Sequence, residues 1–458
     1  MNETVSETVF VDGSDVSDLN QAFMEQMRDR GDCVPLDVQA GASTAFMRTY
    51  EYPVNAWPFF VGPEALASLK DMNARILALS VKAIRAIFRN DPMALAEATG
   101  IDPVQCTFFM SGVCLDDICF RTDAILTLDG FKVVEANVGT SIGGWQIQWL
   151  EETFREHAQY RDFFTRHPVS CTNTPATFFR FLVDSAARGT RGEQLLILFM
   201  VGRSFNAQDY GDRLREWIDA AIAGAGARCE IRFITGFEDV EVDARGVWHR
   251  GRRAHMVTFG DVSAGQTPPI ALLRSILAGK IACPDFPASG LLGDKRNLAL
   301  LHHAADMGLL SGDDAGFVRR YVPRTFILGG ALHSPATHQQ VLSNKDMYVI
   351  KPCRGMQGAD VHVGRYQTAQ QWASIIADLP QPQHWIAQEH CESVQFPGHS
   401  GHPGQSTALF DVVWGVFQFG SRYGGAWLRM MPRSNDGHDG IINSARGAQE
   451  RIVFEAPR

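Results

Sequence analysis

The chain has 458 residues, of which 45% are hydrophobic and 20% are charged, and its 42 Lys and Arg against 51 Asp and Glu give a net charge of −9. This composition is typical of a globular protein and excludes a disordered chain, a collagen and a coiled coil. A dedicated nucleic-acid-binding protein would carry a basic domain or stripe, so we expect no nucleic-acid partner.

Membrane and export signals are also lacking in the sequence pattern. The densest apolar run, residues 195–201, is far shorter than the ~20 residues that a helix needs to cross a bilayer. The first twenty residues contain five acidic residues and no Lys or Arg, which is unlike a signal peptide. The nine cysteines are scattered, without a CxxC pair or zinc spacing, and we expect reduced thiols in a cytoplasmic protein with no membrane partner.

The predicted elements begin with a loosely docked acidic arm over residues 1–20. Helices follow over residues 63–98, where apolar residues recur at intervals of three and four, and Asn90-Asp91-Pro92 ends the first helix and caps the next. Residues 119–138 predict two strands joined by a turn, and residues 143–165 return to helix.

The middle third of the sequence predicts an α/β layer. Residues 194–201 (QLLILFMV) form an apolar run of strand length, which is typical of a buried parallel strand. A helix over 212–223 and a strand over 229–234 complete a strand–helix–strand unit. Residues 240–259 predict a hairpin with basic turns.

The last third alternates helices and strands in an α+β pattern. Its predicted helices cover 295–307 and 368–379, and its predicted strands cover 347–351, 360–364, 384–389, 408–419 and 425–431. The whole chain therefore predicts a mixed α/β and α+β fold. We divide it into a helical region (1–104), a hairpin segment (105–165), an α/β domain (166–290) and a C-terminal α+β region (291–458).

The sharpest motif is RTDAILTLDGFKVVEAN, residues 121–137. Glu135 and Asn137 are two apart on a predicted strand and so point to one face of it. A carboxylate and an amide are costly to bury side by side unless something pairs with them, and a hard cation such as Mg²⁺ prefers oxygen ligands. Asp123 supplies another carboxylate twelve positions earlier.

The turn decides whether Asp123 reaches that face. A two-residue turn of Asp129 and Gly130 would place Asp123 opposite Ala136, on the wrong face. We predict instead a three-residue turn, Leu128–Gly130, with a bulge at Gly130.

In that register Asp123 lies opposite Glu135, and Arg121 lies opposite Asn137. The four side chains then share one face, as a metal site requires. An ordinary hairpin with cross-strand charge pairs is the alternative.

A second motif, residues 348–360, ends a predicted strand at Lys351 and continues into a loop with Gly355, Gln357 and Gly358. Glycines let backbone N–H groups approach phosphate oxygens, and the lysine supplies positive charge. A plain hairpin turn explains the same pattern.

Two further motifs are compatible with nucleotide binding. Gln388 and Glu389 end a strand and could hydrogen-bond an adenine edge and ribose hydroxyls, although an exposed strand end is the simpler explanation. Asp294 predicts a helix N-cap with Lys295 in the first turn, where a cation opposes the helix dipole unless it serves an anionic ligand.

Polar residues near the C-terminus could hold a substrate. Arg429 and Arg433, and likewise Asn443 and Arg446, could clamp a carboxylate or phosphate, or could simply lie on the surface. No nucleophile motif of the G-x-S-x-G, H-E-x-x-H or Cys-His kind is present.

Together these motifs resemble the circularly permuted branch of the ATP-grasp superfamily, typified by the synthetase domain of glutathionylspermidine synthase. The resemblance covers residues 105–150 and 285–450, and rests on R-x-D and E-x-N standing before both lysines. It implies an ATP-grasp fold with a preceding α/β domain, and a carboxylate–amine ligase that forms an amide through an acyl phosphate and releases ADP and phosphate.

The resemblance also implies roles for individual residues. Mg²⁺ would be held by Asp123, Glu135 and Asn137, and Arg121 would stabilise the acyl phosphate. ATP would be bound by Lys295, Lys351, Gly355, Gln357, Gly358, Gln388 and Glu389. The partners would be a small-molecule carboxylate and an amine, such as an amino acid, peptide or polyamine, in a possible homodimer. A kinase on the same fold and a non-catalytic nucleotide-binding protein remain alternatives.

Overall fold

The computed structural model describes residues 16, 18–29, 42–188, 190, 193–260, 267–284, 289–355, 357–400, 407–433 and 439–457. Most of the arm predicted for residues 1–20 lies outside these residues, and Asp18 begins a helix.

The described α-helices are α1 (Asp18–Asp29), α2 (Ala45–Arg48), α3 (Pro63–Ile87), α4 (Pro92–Thr99), α5 (Pro103–Ser111), α6 (Glu151–Glu156), α7 (Arg161–Arg166), α8 (Thr174–Ala187), α9 (Gly211–Ala225), α10 (Ile270–Leu277), α11 (Ser289–Leu292), α12 (Arg296–Asp306), α13 (Gly312–Tyr321), α14 (Pro335–Ser343) and α15 (Ala369–Ala377). None of them combines the length and the apolar character that crossing a membrane requires.

The described strands are β1 (Phe59–Val61), β2 (Cys119–Thr127), β3 (Gly130–Val138), β4 (Leu195–Met200), β5 (Cys229–Ile234), β6 (Val240–Val242), β7 (Val247–His249), β8 (Arg252–Ala254), β9 (Met256–Phe259), β10 (Thr325–Ile327), β11 (Tyr348–Pro352), β12 (His362–Val363), β13 (Trp385–Glu389), β14 (Phe396–His399), β15 (Thr407–Phe419), β16 (Arg422–Pro432) and β17 (Gln449–Glu455).

The largest sheet has seven strands in the order β1-β17-β16-β15-β2-β3, and β14 pairs with β15 beside this path. All pairs are antiparallel except β1 with β17. The sheet therefore joins the predicted hairpin of residues 119–138 to the C-terminal strands. Both the hairpin and the antiparallel C-terminal strands are confirmed.

One face of this sheet packs against helix α3. Val412, Trp414 and Val416 alternate along β15 and are buried in the same hydrophobic core as the apolar side of α3. Asn73 of α3 donates a hydrogen bond to the carbonyl oxygen of Val416 at 2.9 Å. The same sheet also contributes Phe417, Trp427 and Phe454 to a second hydrophobic core, so the polar hairpin residues lie beside apolar packing.

A second sheet, β10-β13-β11-β12, is antiparallel and packs against α14 and α15 around the buried Trp372 and Tyr348. Helix α15 begins with the capping box of Thr368 and Gln371. The strand predicted over 360–364 is reduced to the two residues of β12.

The middle third contains the predicted parallel unit. Strands β4 and β5 pair in parallel and are joined by α9, and β9 pairs in parallel with the other edge of β4. The single hairpin predicted for 240–259 is wrong. The chain reverses twice, at residues 243–246 and again at Arg250-Gly251, where both φ angles are positive. It forms the small sheet β6-β7-β8 before β9 joins the parallel sheet.

The helix predicted for 143–165 is only partly confirmed. A 3₁₀ helix over Trp145–Leu150 precedes α6, and α7 begins only after a break at residues 157–160. The four-domain division stays a prediction.

Candidate active site

The β2–β3 hairpin has the predicted pairing at its polar end. Asp123 lies opposite Glu135, and Arg121 lies opposite Asn137. The four residues line one cavity, as a shared face requires. The pairing of polar residues is therefore confirmed.

The predicted cause of this register is wrong. The turn has two residues, Leu128 and Asp129, because Thr127 pairs with Gly130, and the Thr127 hydroxyl donates to the Gly130 carbonyl oxygen at 2.9 Å. The extra residue is Val134, between the partners of Ala124 and Asp123. A bulge inside the strand thus restores the register just before the polar face begins.

Asp123 is the centre of a buried ion network. Its carboxylate accepts hydrogen bonds from Arg121 at 2.8 and 3.1 Å, and from Asn137 at 3.1 Å. Arg429 of β16 contributes a third cationic contact at 2.7 Å. Burial opposes ionisation of Asp123, but the two guanidinium groups outweigh it and hold its pKa well below the usual range.

The two arginines flank the indole of Trp427, with guanidinium carbons 5.5 Å (Arg121) and 5.4 Å (Arg429) from the ring centre. The space for this indole comes from Gly415 and Gly144. A Cβ atom at either glycine would collide with the Trp427 ring, and one at Gly415 would also lie 3.0 Å from Cδ of Arg121. The packing of the arginines therefore requires glycine at 415.

Lys295 joins the last third of the chain to the hairpin. Its Nζ lies 3.0 Å from Oε1 of Glu135 and 3.1 Å from the carbonyl oxygen of Gly355. Lys295 is the N-cap residue of α12, one position before the predicted first-turn location. The predicted cap Asp294 still accepts the Arg296 N–H, and its buried carboxylate pairs with the Arg296 and Arg354 side chains.

Lys351 points to the same cavity from the end of β11. Its Nζ donates to Oε1 of Gln388 at 2.8 Å, and Gln388 in turn donates to the hydroxyl of Thr325. Burial lowers the pKa of Lys351 to about 8, and the nearby Lys295 adds to this effect. Gln388, suggested by its sequence as an adenine-binding residue, therefore holds the lysine in place here.

A single cavity of about 980 Å³ is lined by all of the candidate residues from the sequence except Arg446. Gly355, Gln357 and Gly358 lie on its wall, with positive φ angles at the last two. Glu389 lines it from the exposed end of β13.

The four residues suggested for substrate clamping are placed differently from one another. Arg429 is buried on Asp123, whereas Arg433 pairs with Glu392 at the surface. The side chain of Asn443 accepts the Ala445 N–H and caps a short 3₁₀ helix. Arg446 pairs with Asp439 and does not line the cavity, so its predicted pairing with Asn443 on a ligand is not formed.

One end of the cavity is completed by residues that were not predicted from the sequence. The Tyr50 hydroxyl donates to Oε2 of Glu450 at 2.7 Å, and the Ser444 hydroxyl donates to Oε1 at 2.8 Å. Glu450 lies opposite Arg429 on the neighbouring strand and is only 1% exposed. An acidic residue inside the apolar strand ERIVF was the available sequence signal, because burial makes it costly without partners.

The hairpin has the donor types for Mg²⁺ but not a complete metal cage. No group of three or more His, Cys, Asp or Glu is clustered for a metal among the residues that the structure describes. The oxygens of Asp123 and Glu135 face arginine and lysine partners. Mg²⁺ commonly takes one or two carboxylates together with substrate phosphates, and Asp123, Glu135 and Asn137 fit that kind of shared site.

Known proteins resemble this chain in their fold and not in their sequence. Neither the models of known protein families nor the curated protein sequences give a match. Among solved structures, it is similar to a glutathione synthetase-like effector (GSS30) from Globodera pallida, with a TM-score of 0.59, 13% identity, and coverage of 95% of this chain and 98% of that chain.

A candidate gamma-glutamylcysteine synthetase from Methylobacillus flagellatus KT is also similar, with a TM-score of 0.41, 12% identity, and coverage of 83% and 88%. At 13% identity, the likeness to the effector establishes a shared mixed α/β fold along nearly the whole chain.

Proposed function

We propose that this protein is an ATP-dependent carboxylate–amine ligase, with a circularly permuted ATP-grasp arrangement. The observation that carries the proposal is the convergence of Lys295 and Lys351 with the Arg121–Asp123 and Glu135–Asn137 pairs around one cavity. These residues come from distant parts of the sequence, and together they supply what phosphoryl transfer needs. The fold shared with a glutathione synthetase-like protein is consistent with this class.

Phosphoryl transfer depends on positioning and charge neutralisation more than on a protein nucleophile. Lys295 and Lys351 stand where they can hold the phosphates of ATP, with the Gly355–Gly358 loop beside them. Asp123, Glu135 and Asn137 would hold Mg²⁺, which when bound neutralises charge on the phosphate oxygens. Glu135 would then exchange its contact with Lys295 for the metal and leave that lysine free for a phosphate.

We assign Arg121 and Arg429 to the acyl phosphate. Both are buried, both contact Asp123, and their charge is fixed because a guanidinium is not deprotonated in proteins. Burial opposes the charge on Arg121, but Asp123 and Glu135 outweigh it and raise its pKa. Preorganised cations of this kind stabilise negative charge that develops on a transferring phosphoryl or acyl group.

The overall reaction joins a small-molecule carboxylate to an amine, with ADP and phosphate as the other products. After the ammonium ion loses a proton to solvent, the neutral amine attacks the acyl carbon, which forms the C–N bond and breaks the C–O bond to the departing phosphate. A closed Gly355–Gly358 loop would keep water from the acyl phosphate. A cytoplasmic location and the four-domain division belong to the same proposal, as does a possible homodimer.

The test is ADP release by the full chain with ATP, Mg²⁺ and pools of carboxylates and amines, read by mass spectrometry. The ligase requires an amide product, and steady ADP release must depend on both pools. A phosphorylated product that forms without any amine would identify a kinase on the same fold. Absence of ATP binding would overturn both enzymatic interpretations.

A further inference from the structure

The two ends of the cavity differ in their lining. Lys295 and Lys351 lie at one end, where the lining residues Arg354, Arg365 and Arg433 are paired with the carboxylates of Asp294 and Glu392. At the other end the lining residues come from segments 46–52, 141–146 and 443–450. These segments contribute the carboxylates Glu51 and Glu450, and they adjoin Arg121 and Arg429, which are both paired with Asp123.

Three aromatic side chains that line this acidic end form what we term the aromatic wall: Phe46, Tyr50 and Tyr52. The rings of Tyr50 and Tyr52 meet edge-on with centres 5.5 Å apart, and those of Phe46 and Tyr50 lie 5.8 Å apart. Aromatic faces attract ammonium groups, and more strongly when the site is partly desolvated. Aromatic rings beside carboxylates are thus a surface for a cation with an apolar body.

Glu450 is held rigidly at the base of this wall by Tyr50 and Ser444. The charged and titratable groups around it are Arg429 and Arg121 on the neighbouring strands, and Tyr52 and Glu51 on the N-terminal segment. Burial raises the pKa of Glu450 to about 7, since the opposing effects of its hydrogen bonds and of the arginines are smaller. An arriving cation would stabilise the ionised carboxylate.

A polar atom without a partner lies next to this end of the cavity. Trp427 is 4% exposed and lines the cavity, yet its Nε1 has no hydrogen-bond acceptor within the part of the chain that the structure describes. The same holds for Nε of Arg429. Unsatisfied buried donors are uncommon in folded proteins and indicate that a hydrogen-bond acceptor belongs beside them. An ammonium ion has no lone pair and cannot be that acceptor, so these two donors mark the border of a cation site and not its interior.

Resting on the proposed ligase function, we propose that the aromatic wall and Glu450 form the subsite for the amine substrate, which docks as an ammonium ion. The N-terminal segment, residues 46–52, thereby determines which amine is used.

The test measures binding of a simple cation, n-butylammonium chloride, to the full chain by saturation-transfer NMR, with and without a non-hydrolysable ATP analogue and Mg²⁺. Uncharged n-butanol is the control ligand. Glu450→Gln keeps the shape of the side chain, and Tyr52→Leu changes a half-buried position, so both variants should fold. We expect each to bind butylammonium about tenfold more weakly. Glu392→Gln, a carboxylate at the other end, should bind it normally.

Absence of saturable butylammonium binding in all conditions would overturn the subsite, as would equal binding by the parent chain and the Glu450 and Tyr52 variants. Equal binding of butanol would also overturn it, because charge would then play no part. Failure of the ligase proposal looks different: the ATP analogue would not bind, while butylammonium binding would still depend on Glu450.

Discussion

Lys295 Nζ lies 3.0 Å from Glu135 Oε1, so a lysine at the start of α12 is paired with a carboxylate on β3. The side chain of Lys295 is 6% exposed, and that of Glu135 is 25% exposed. The pair ties the start of α12 to the hairpin across the cavity. In the proposed function, Lys295 binds a phosphate of ATP and Glu135 binds Mg²⁺.

Lys295→Met should therefore weaken ATP binding strongly, because a charge beside the phosphates is lost. We expect the Kd for ATP to rise at least about tenfold, the usual scale for one charge-assisted contact. Calorimetric titration with an ATP analogue measures this. Lys280→Met removes an exposed lysine that donates to the Ala244 carbonyl oxygen and does not line the cavity, so it should leave the Kd unchanged. Equal Kd values for both variants would contradict the assignment.

Asp123→Asn should cost both activity and stability. The substitution removes the carboxylate that both Arg121 and Arg429 contact directly, and breaking a buried ion pair costs about 3–5 kcal/mol. We expect the free energy of unfolding in urea to fall on that scale, with ADP release reduced at least a hundredfold. The matched control is Asp129→Asn in the exposed turn of the same hairpin. A stable, active Asp123→Asn protein would refute the ion network.

Nucleotide binding should weaken with rising pH above about 8. Burial lowers the pKa of Lys351 to about 8 in the free protein, so the protonated form that attracts phosphate is lost above that value. If only that form binds, the Kd for ATP rises by up to about tenfold per pH unit. Lys351→Arg stays charged and should give a flat profile between pH 7 and 9. A slope in the arginine variant would assign the effect to another group.

Gly415→Ala should disorganise the arginines without altering any charge. The added methyl would collide with Trp427 and crowd Arg121, and overpacking of a buried site costs about 1–3 kcal/mol. We expect a lower Tm together with reduced ADP release. Gly316→Ala in helix α13 meets no atom within 4 Å and should stabilise the chain by about 1 kcal/mol.

Glu450 should make stability depend on pH. Its pKa is raised from 4.5 to about 7 by burial, so the folded chain holds a proton that the unfolded chain has already released in this range. The free energy of unfolding therefore falls as the pH rises from 4.5 to 7, by roughly 3 kcal/mol for this group.

Glu450→Gln removes that loss. The free energy of unfolding of the variant, relative to that of the parent chain, should therefore increase as the pH rises. Urea unfolding of both proteins at pH 5 and pH 8 measures the difference. Glu97→Gln, at an exposed position of α4, should show no such trend. A difference independent of pH would mean that Glu450 keeps its ordinary pKa.

The sequence by itself determined the secondary structure where one physical rule dominates. The apolar period of α3 and the continuous apolar run of β4 each depend on local patterns, and both are confirmed. The pairing of Asp123 with Glu135 was also predicted, because two polar residues on each strand must share a face.

Only the tertiary structure decided how that pairing arises and what surrounds it. The bulge at Val134 replaces the expected three-residue turn, since its position depends on contacts beyond the hairpin. The contact of Lys295 with Glu135 and that of Tyr50 with Glu450 join residues far apart in the chain. No local propensity encodes such pairs, because burial and packing fix them only after the sheet has assembled.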